Sequence, residues 1–63
     1  MNRYFLQFDF WNSNVKKFWF GLIDADLNKT ALPDICRKKI KDTLPHASFD
    51  DVEIKVTAFN NIN

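Results

Sequence analysis

Apolar residues occupy every second position near the start of the chain. Positions 4, 6, 8 and 10 are Tyr, Leu, Phe and Phe, whereas the odd positions between them are mixed. A period of two places such side chains on one side of a β-strand. We therefore predict a first strand whose even positions face a core.

A second aromatic run follows the polar segment 12–14, which reads Asn-Ser-Asn. In this run Phe18, Phe20 and Leu22 are again at even positions. A three-residue loop with Asn14 in the left-handed conformation would bring the even positions of both strands to the same side, because a one-residue slip turns every side chain over. The predicted cross-strand pairs are Phe8 with Phe18, Leu6 with Phe20, Asp9 with Lys17, and Phe5 with Gly21.

A helix is predicted in the middle of the chain. Thr30 is a plausible N-cap, and Pro33 falls in the first turn, where its missing N–H costs little. Because Pro45 disfavours a helical residue before it, the helix should end near Thr43. The apolar residues at helical spacing are Leu32, Ile35, Cys36, Ile40 and Leu44.

The pattern returns to a period of two after position 51, which predicts a third strand. Its inward residues would be Val52, Ile54, Val56 and Ala58, and its outward residues Glu53, Lys55, Thr57 and Phe59.

These elements predict a single α+β domain over residues 1–63, in the order β-β-α-β. The third strand could lie beside the first strand, antiparallel, or beside the second strand, parallel. Its alternation of apolar and polar residues favours an antiparallel neighbour. We therefore expect a three-stranded antiparallel sheet of order 2-1-3 with the helix packed on one face.

Composition narrows the classes of function. The chain of 63 residues has one Cys, one His and one Gly, and its net charge is +1. A single cysteine cannot form an internal disulfide, Cys/His zinc sets need more ligands, and phosphate-binding loops need several glycines. The start of the chain does not resemble a signal peptide. We expect a cytoplasmic protein without a cofactor.

Candidate catalytic groups are sparse. Residues 24–28 read D-x-D-x-N like a calcium loop, but Lys29 and Ile35 stand where that loop needs Gly and Glu. His46 has no second catalytic group near it in sequence, and Asp50 and Asp51 lie at a junction where solvated acids are common. Cys36 is on the apolar side of the predicted helix, as a core residue would be. We therefore expect no enzymatic activity.

Apolar residues on the outward side of the predicted hairpin are more than folding requires. An exposed apolar patch of this kind usually marks an interaction site, and interface cores are enriched in aromatic residues. The leading hypothesis is a small protein-interaction module of regulator or inhibitor type that also self-associates as a homodimer. The predicted interaction surface comprises Phe5, Trp11, Lys17, Trp19, Ile23 and Phe59.

Basic residues suggest a second hypothesis. Arg37, Lys38 and Lys41 form a basic patch on the outer side of the predicted helix, which is more typical of a solvated face than of a binding site. Sheets that bind single-stranded nucleic acid combine exposed aromatic rings with basic residues on the same face. The candidate platform is Phe5, Trp19 and Phe59 with Lys17 and Lys55 beside them, whereas the helix patch should lie on the opposite face of the sheet. Stacking of bases on the aromatic face is therefore the alternative function. No membrane partner is expected.

Overall fold

The computed structural model describes residues 2–44 and 51–62. The chain forms strand β1 (Asn2–Trp11), strand β2 (Lys16–Ala25), helix α1 (Leu32–Thr43) and strand β3 (Glu53–Asn61). Strand β1 lies in the centre of the sheet, antiparallel to both neighbours, in the order β2-β1-β3. The predicted α+β class and strand order are confirmed, and the parallel alternative is excluded.

Helix α1 begins one residue later than a Thr30 cap would require. Its N-cap is Ala31, which has no side-chain oxygen to accept a hydrogen bond from the first turn. Pro33 does lie in the first turn, as predicted, and the helix ends at Thr43.

One face of the sheet and one side of α1 enclose the core. All four even positions predicted to face inward from β1 are buried, and Leu6 and Phe8 are fully inaccessible. The buried apolar residues are Tyr4, Leu6, Phe8, Phe10, Ile23, Ala25, Ile35, Cys36, Ile40 and Val52.

The hairpin register differs by one residue from the predicted register. Phe8 lies opposite Trp19, Leu6 opposite Gly21 and Asp9 opposite Phe18. Four residues, 12–15, connect the strands instead of three. The predicted pairs of even with even positions were therefore wrong.

The side chain of Asn12 accounts for the longer loop. Its Oδ1 accepts hydrogen bonds from the backbone N–H groups of Asn14 and Val15, at 2.8 and 2.9 Å, and the Asn12 N–H donates to the Val15 carbonyl at 2.9 Å. Asparagine side chains often close turns in this way. No non-glycine residue of the described chain has a positive φ, so the left-handed conformation predicted for Asn14 is not adopted.

The shifted register reverses the two faces of β2. Ile23, predicted to point outward, is 3% exposed, and Ala25 is buried beside it. Phe18, Phe20 and Leu22, predicted to build the core, lie on the opposite face and are exposed. A one-residue slip has this effect because neighbouring side chains of a strand point to opposite faces.

Trp19 lies on the core side and covers the backbone of Gly21. A Cβ atom at Gly21 would be 2.9 Å from the far edge of the Trp19 indole. The same indole stacks on Phe8 with centroids 5.6 Å apart, and Lys39 Nζ lies 6.0 Å from its centre. The predicted cover of Gly21 by Phe5 was wrong because Phe5 lies opposite Leu22.

A β-bulge in β3 changes the face of the sheet to which the side chains after it point. Gln7 lies opposite Ala58 but Phe8 lies opposite Val56, so Thr57 is an extra residue on β3. The Thr57 hydroxyl donates to the Gln7 carbonyl at 3.2 Å. Residues before the bulge keep the predicted faces, and residues after it are turned over.

Phe59 consequently faces the core and not solvent. It lies opposite Leu6, and its ring stacks on Tyr4 with centroids 4.7 Å apart. The prediction that Phe59 points outward was wrong, because the pattern of alternating residues does not show the bulge.

The register makes opposite predictions for two neighbouring residues of β2. Ile23→Ala removes buried methylene groups and should lower the free energy of unfolding by about 2–5 kcal/mol. Leu22→Ala is the matched control, because Leu22 is 58% exposed, and in the monomer it should change stability by less than about 0.5 kcal/mol, so both variants are compared at a protein concentration where the chain is monomeric. Urea denaturation followed by circular dichroism measures both. Equal costs, or a larger cost for Leu22→Ala, would contradict the observed register.

A methyl group at Gly21 should destabilise the fold although alanine is usually acceptable in a strand. Gly21→Ala must displace the Trp19 indole, which stacks on Phe8, at a cost of about 1–3 kcal/mol. The same substitution in a Trp19→Leu background should cost much less, because the obstructing ring is gone. A Gly21→Ala cost that is the same in both backgrounds would show that the contact with the indole is unimportant.

Candidate interaction surface

The sheet has one face that α1 does not cover, which we call the open face. Side chains at the odd positions of β1 and at the even positions of β2 point to this face. Apart from Trp11 at the end of β1, four of them are large and apolar, and they form the open-face cluster: Phe5, Phe18, Phe20 and Leu22.

The open-face cluster is continuous across two strands. Phe18, Phe20 and Leu22 are 63%, 62% and 58% exposed, and Phe5, half-buried, lies directly opposite Leu22. The rings of Phe18 and Phe20 are nearly parallel, with an interplanar angle of 11° and centroids 6.1 Å apart. Their ring faces and edges are thus available to a partner surface.

An ion pair borders one end of the open-face cluster. Arg3 Nε and Nη2 donate to the two carboxylate oxygens of Asp24, at 2.9 and 3.3 Å. These hydrogen bonds to the ionised carboxylate lower the pKa of Asp24, and the same contact raises the pKa of Arg3. Both side chains are about half exposed and so remain available to a further charge.

Charged residues also border the other end. Asp9, Lys16 and Lys55 line a shallow depression there together with Trp11. Asp9 lies opposite Lys55 on β3, and Trp11 lies opposite Lys16 on β2. The open face therefore has an apolar centre between two charged ends, as protein interfaces with a polar rim do.

The predicted surface residues divide into two groups. Phe5 lies on the open face, and Trp11 borders it, half-buried at the end of β1. Trp19, Ile23 and Phe59 belong to the other side of the sheet, as described above. Lys17 is exposed but lies opposite Phe10, also on the side of the helix.

The predicted basic patch lies on the other side of the molecule. Arg37, Lys38 and Lys41 are all exposed on α1, which packs against the face opposite the open-face cluster. Arg37 also donates to the carbonyl of Val52 at 3.4 Å. One flat strand of nucleic acid could not contact the patch and the cluster together.

A groove runs between α1 and β3. Its volume is about 520 Å³, and its wall is mainly apolar, including Leu32 and Ile54 with Arg37 beside them. Cys36 lines it but is fully inaccessible to solvent, and burial raises the pKa of its thiol. A protonated thiol is a poor nucleophile, so the groove does not have the character of a cysteine active site.

The other candidate catalytic and metal-binding side chains either have structural roles or lie outside the described residues. Asp26 Oδ1 accepts a hydrogen bond from the Asn28 N–H at 3.0 Å, which is a polar turn closed by its own side chain. No group of three metal-ligating side chains occurs in residues 2–44 and 51–62. His46 and Asp50, together with the loop predicted for residues 45–50, lie outside the described residues.

Sequence reasoning missed Phe18, Phe20 and Leu22 as surface residues. The signal that could have found them is Asn12, because asparagine at the first position favours a turn closed by its side chain, and four-residue hairpin loops are commonly built around such turns. A four-residue loop places Ile23 and Ala25 inward and the three residues outward.

Comparison with known proteins does not assign the chain to a family. The chain matches no protein-family model, and searches of curated proteins and of solved structures found no match. Among the described residues, no helix is long and apolar enough to cross a membrane.

Proposed function

We propose that this chain is a non-enzymatic protein-interaction module that binds through the open face of its sheet and self-associates. The observation that carries the proposal is the exposure of Phe18, Phe20 and Leu22 side by side on one strand. A cytoplasmic location fits this proposal, because the single cysteine is buried and needs no oxidising compartment.

The apolar area on the open face is the physical reason to expect a partner. Each exposed phenylalanine or leucine gains about 1.5–3 kcal/mol when it is fully removed from water. A domain of this size buries little surface when it folds, so a second surface that buries three or four such side chains would add substantially to its stability. A regulator or inhibitor could use this gain to hold a larger protein.

The alternative function is binding of single-stranded nucleic acid by stacking on Phe18 and Phe20. Two parallel, exposed rings on a sheet are the arrangement that supports it. Charge weighs against it, because the acidic side chains of Asp9 and Asp24 flank the rings and the basic patch lies behind the sheet.

The open-face cluster should control association. Sedimentation velocity of the native chain at micromolar concentration should show a concentration-dependent dimer, and Phe20→Ser should weaken the association roughly tenfold or more. Leu27→Ser is the matched control, because Leu27 is a 39% exposed apolar residue in the loop before α1. It should leave the association unchanged.

Two outcomes would contradict this proposal. A native chain that stays monomeric at high micromolar concentration would exclude self-association. Association that is equally weakened by Phe20→Ser and Leu27→Ser, or by neither, would exclude a specific role of the open face.

A fluorescent oligonucleotide tests the alternative. Because Asp9 and Asp24 lie beside the cations at the two ends of the open face, we expect neither an anisotropy change nor a salt-dependent affinity when the oligonucleotide is titrated at 50 and 200 mM salt. Binding that weakens with salt and is abolished by Phe18→Ser would instead establish the nucleic-acid function.

A further inference from the structure

Strand β2 has one edge that no strand of the described residues occupies, and the pairing with β1 fixes which of its backbone groups point to that edge. The Asn12 N–H bond to the Val15 carbonyl joins a hydrogen-bonded pair of the hairpin. Such pairs alternate along an antiparallel ladder. The odd positions of β2 therefore bond to β1, and the even positions point their N–H and C=O groups to the free edge.

An independent contact agrees with this derivation. The Arg3 carbonyl accepts a hydrogen bond from the Ile62 N–H at 2.9 Å, so Arg3 directs its backbone toward β3. Its partner across the hairpin, Asp24, must then point away from β1. Lys16, Phe18, Phe20, Leu22 and Asp24 thus form the unpaired edge.

The two outer edges of the sheet differ in their ability to pair. Proteins protect edges with bulges, prolines or inward-pointing charges. Strand β3 has a bulge at Thr57. Strand β2 pairs with β1 over ten consecutive residues without a shift, and it has no proline. Of the two edges, β2 is the regular and apolar one.

We propose that a second copy of this chain pairs with β2 in antiparallel orientation, about a two-fold axis at Phe20. This pairing rests on the proposed self-association and specifies how the two copies meet. Phe20 lies opposite the partner's Phe20, Phe18 opposite the partner's Leu22, and Lys16 opposite the partner's Asp24. Two three-stranded sheets then form one six-stranded sheet.

Charge complementarity selects this register. Among the even positions of the free edge, each Lys16 faces the partner's Asp24 and each apolar side chain faces an apolar one, which is the favourable cross-strand arrangement. Shifts of two residues, the nearest that preserve hydrogen bonding, place a charge against an apolar side chain. One shift sets Phe18 against the partner's Asp24, and the other sets Lys16 against the partner's Leu22.

The proposed register also extends features already present. Each copy has five even positions on the free edge, and joining them gives about ten backbone hydrogen bonds. The partner's Lys16 approaches an Asp24 that already accepts from Arg3 and is about half exposed. The two open-face clusters become neighbours on one continuous sheet face.

A proline on the free edge tests the hydrogen bonds separately from the side chains. Leu22→Pro removes an N–H that bonds to none of the described strands of its own chain, so the isolated fold should survive. Leu22→Ser is the matched control, since it removes the same apolar side chain but keeps the N–H. Leu22→Pro should weaken dimerisation roughly tenfold or more beyond Leu22→Ser, measured by sedimentation. Circular dichroism checks that both variants fold.

Cysteine cross-linking tests the register. In Phe20→Cys the two copies place their thiols on opposing residues about 5.5 Å apart between Cα atoms, within the disulfide range. Mild oxidation should therefore cross-link it rapidly. Phe18→Cys should not cross-link to itself, because the two copies of residue 18 are offset by four residues, roughly 13 Å along the strand. A mixture of Phe18→Cys and Leu22→Cys should cross-link, and the native chain with its buried Cys36 is the blank.

The outcomes separate this inference from the proposed function. Equal association of Leu22→Pro and Leu22→Ser would overturn edge pairing. A dimer that still depends on Phe20 would then have its open faces stacked, and the proposed function would stand. Rapid cross-linking of Phe18→Cys alone would overturn the register. A dimer insensitive to Phe20→Ser but lost with Leu22→Pro would support the edge and refute the open face.

Discussion

The turn at Asn12 is the constraint on which the rest of the structure depends. Its side-chain oxygen holds the N–H groups of two loop residues, which makes the loop four residues long. Loop length determines which residue of β2 lies opposite each residue of β1. The turn therefore places Ile23 in the core and Phe20 in water, and it directs the even positions of β2 to the free edge. Core, open face and edge all follow from one local set of hydrogen bonds.

An excess of exposed apolar surface was predictable from the sequence, although the residues that form it were not. In the predicted register Trp19 and Ile23 would be outside, and in the observed one Phe18, Phe20 and Leu22 are outside. Phe5 lies outside in both. Strand β2 has large apolar side chains on both of its faces, and helix α1 covers one face of the sheet. Either register must therefore leave several of these side chains uncovered, which is why an interaction surface could be expected before its residues were known.

Local patterns predicted β1 and α1, because each has a distinct apolar side and Pro45 follows the end of α1. The strand order was predicted from the alternation of apolar and polar residues in β3. The register of β2 was harder, since both of its faces are apolar. Charge did not decide it either: the predicted register pairs Asp9 with Lys17, and the observed one pairs Arg3 with Asp24. The bulge at Thr57 was also not apparent, because alternation continues through it in the sequence. The pairing of Phe59 with Leu6 and its stacking on Tyr4 identify the face that the end of β3 presents.

Asymmetry between the two sides of the sheet favours a protein partner over a nucleic acid. Arg37 and its basic neighbours are exposed on α1, on the far side of the sheet. The open face has charges of both signs at its ends. Phosphate recognition needs cations beside the stacking rings, whereas a protein interface needs an apolar centre with a mixed polar rim. The open face has the second arrangement. The unprotected edge of β2 adjoins the same three apolar residues, so a second copy can use their backbone while their rings remain available to a further surface.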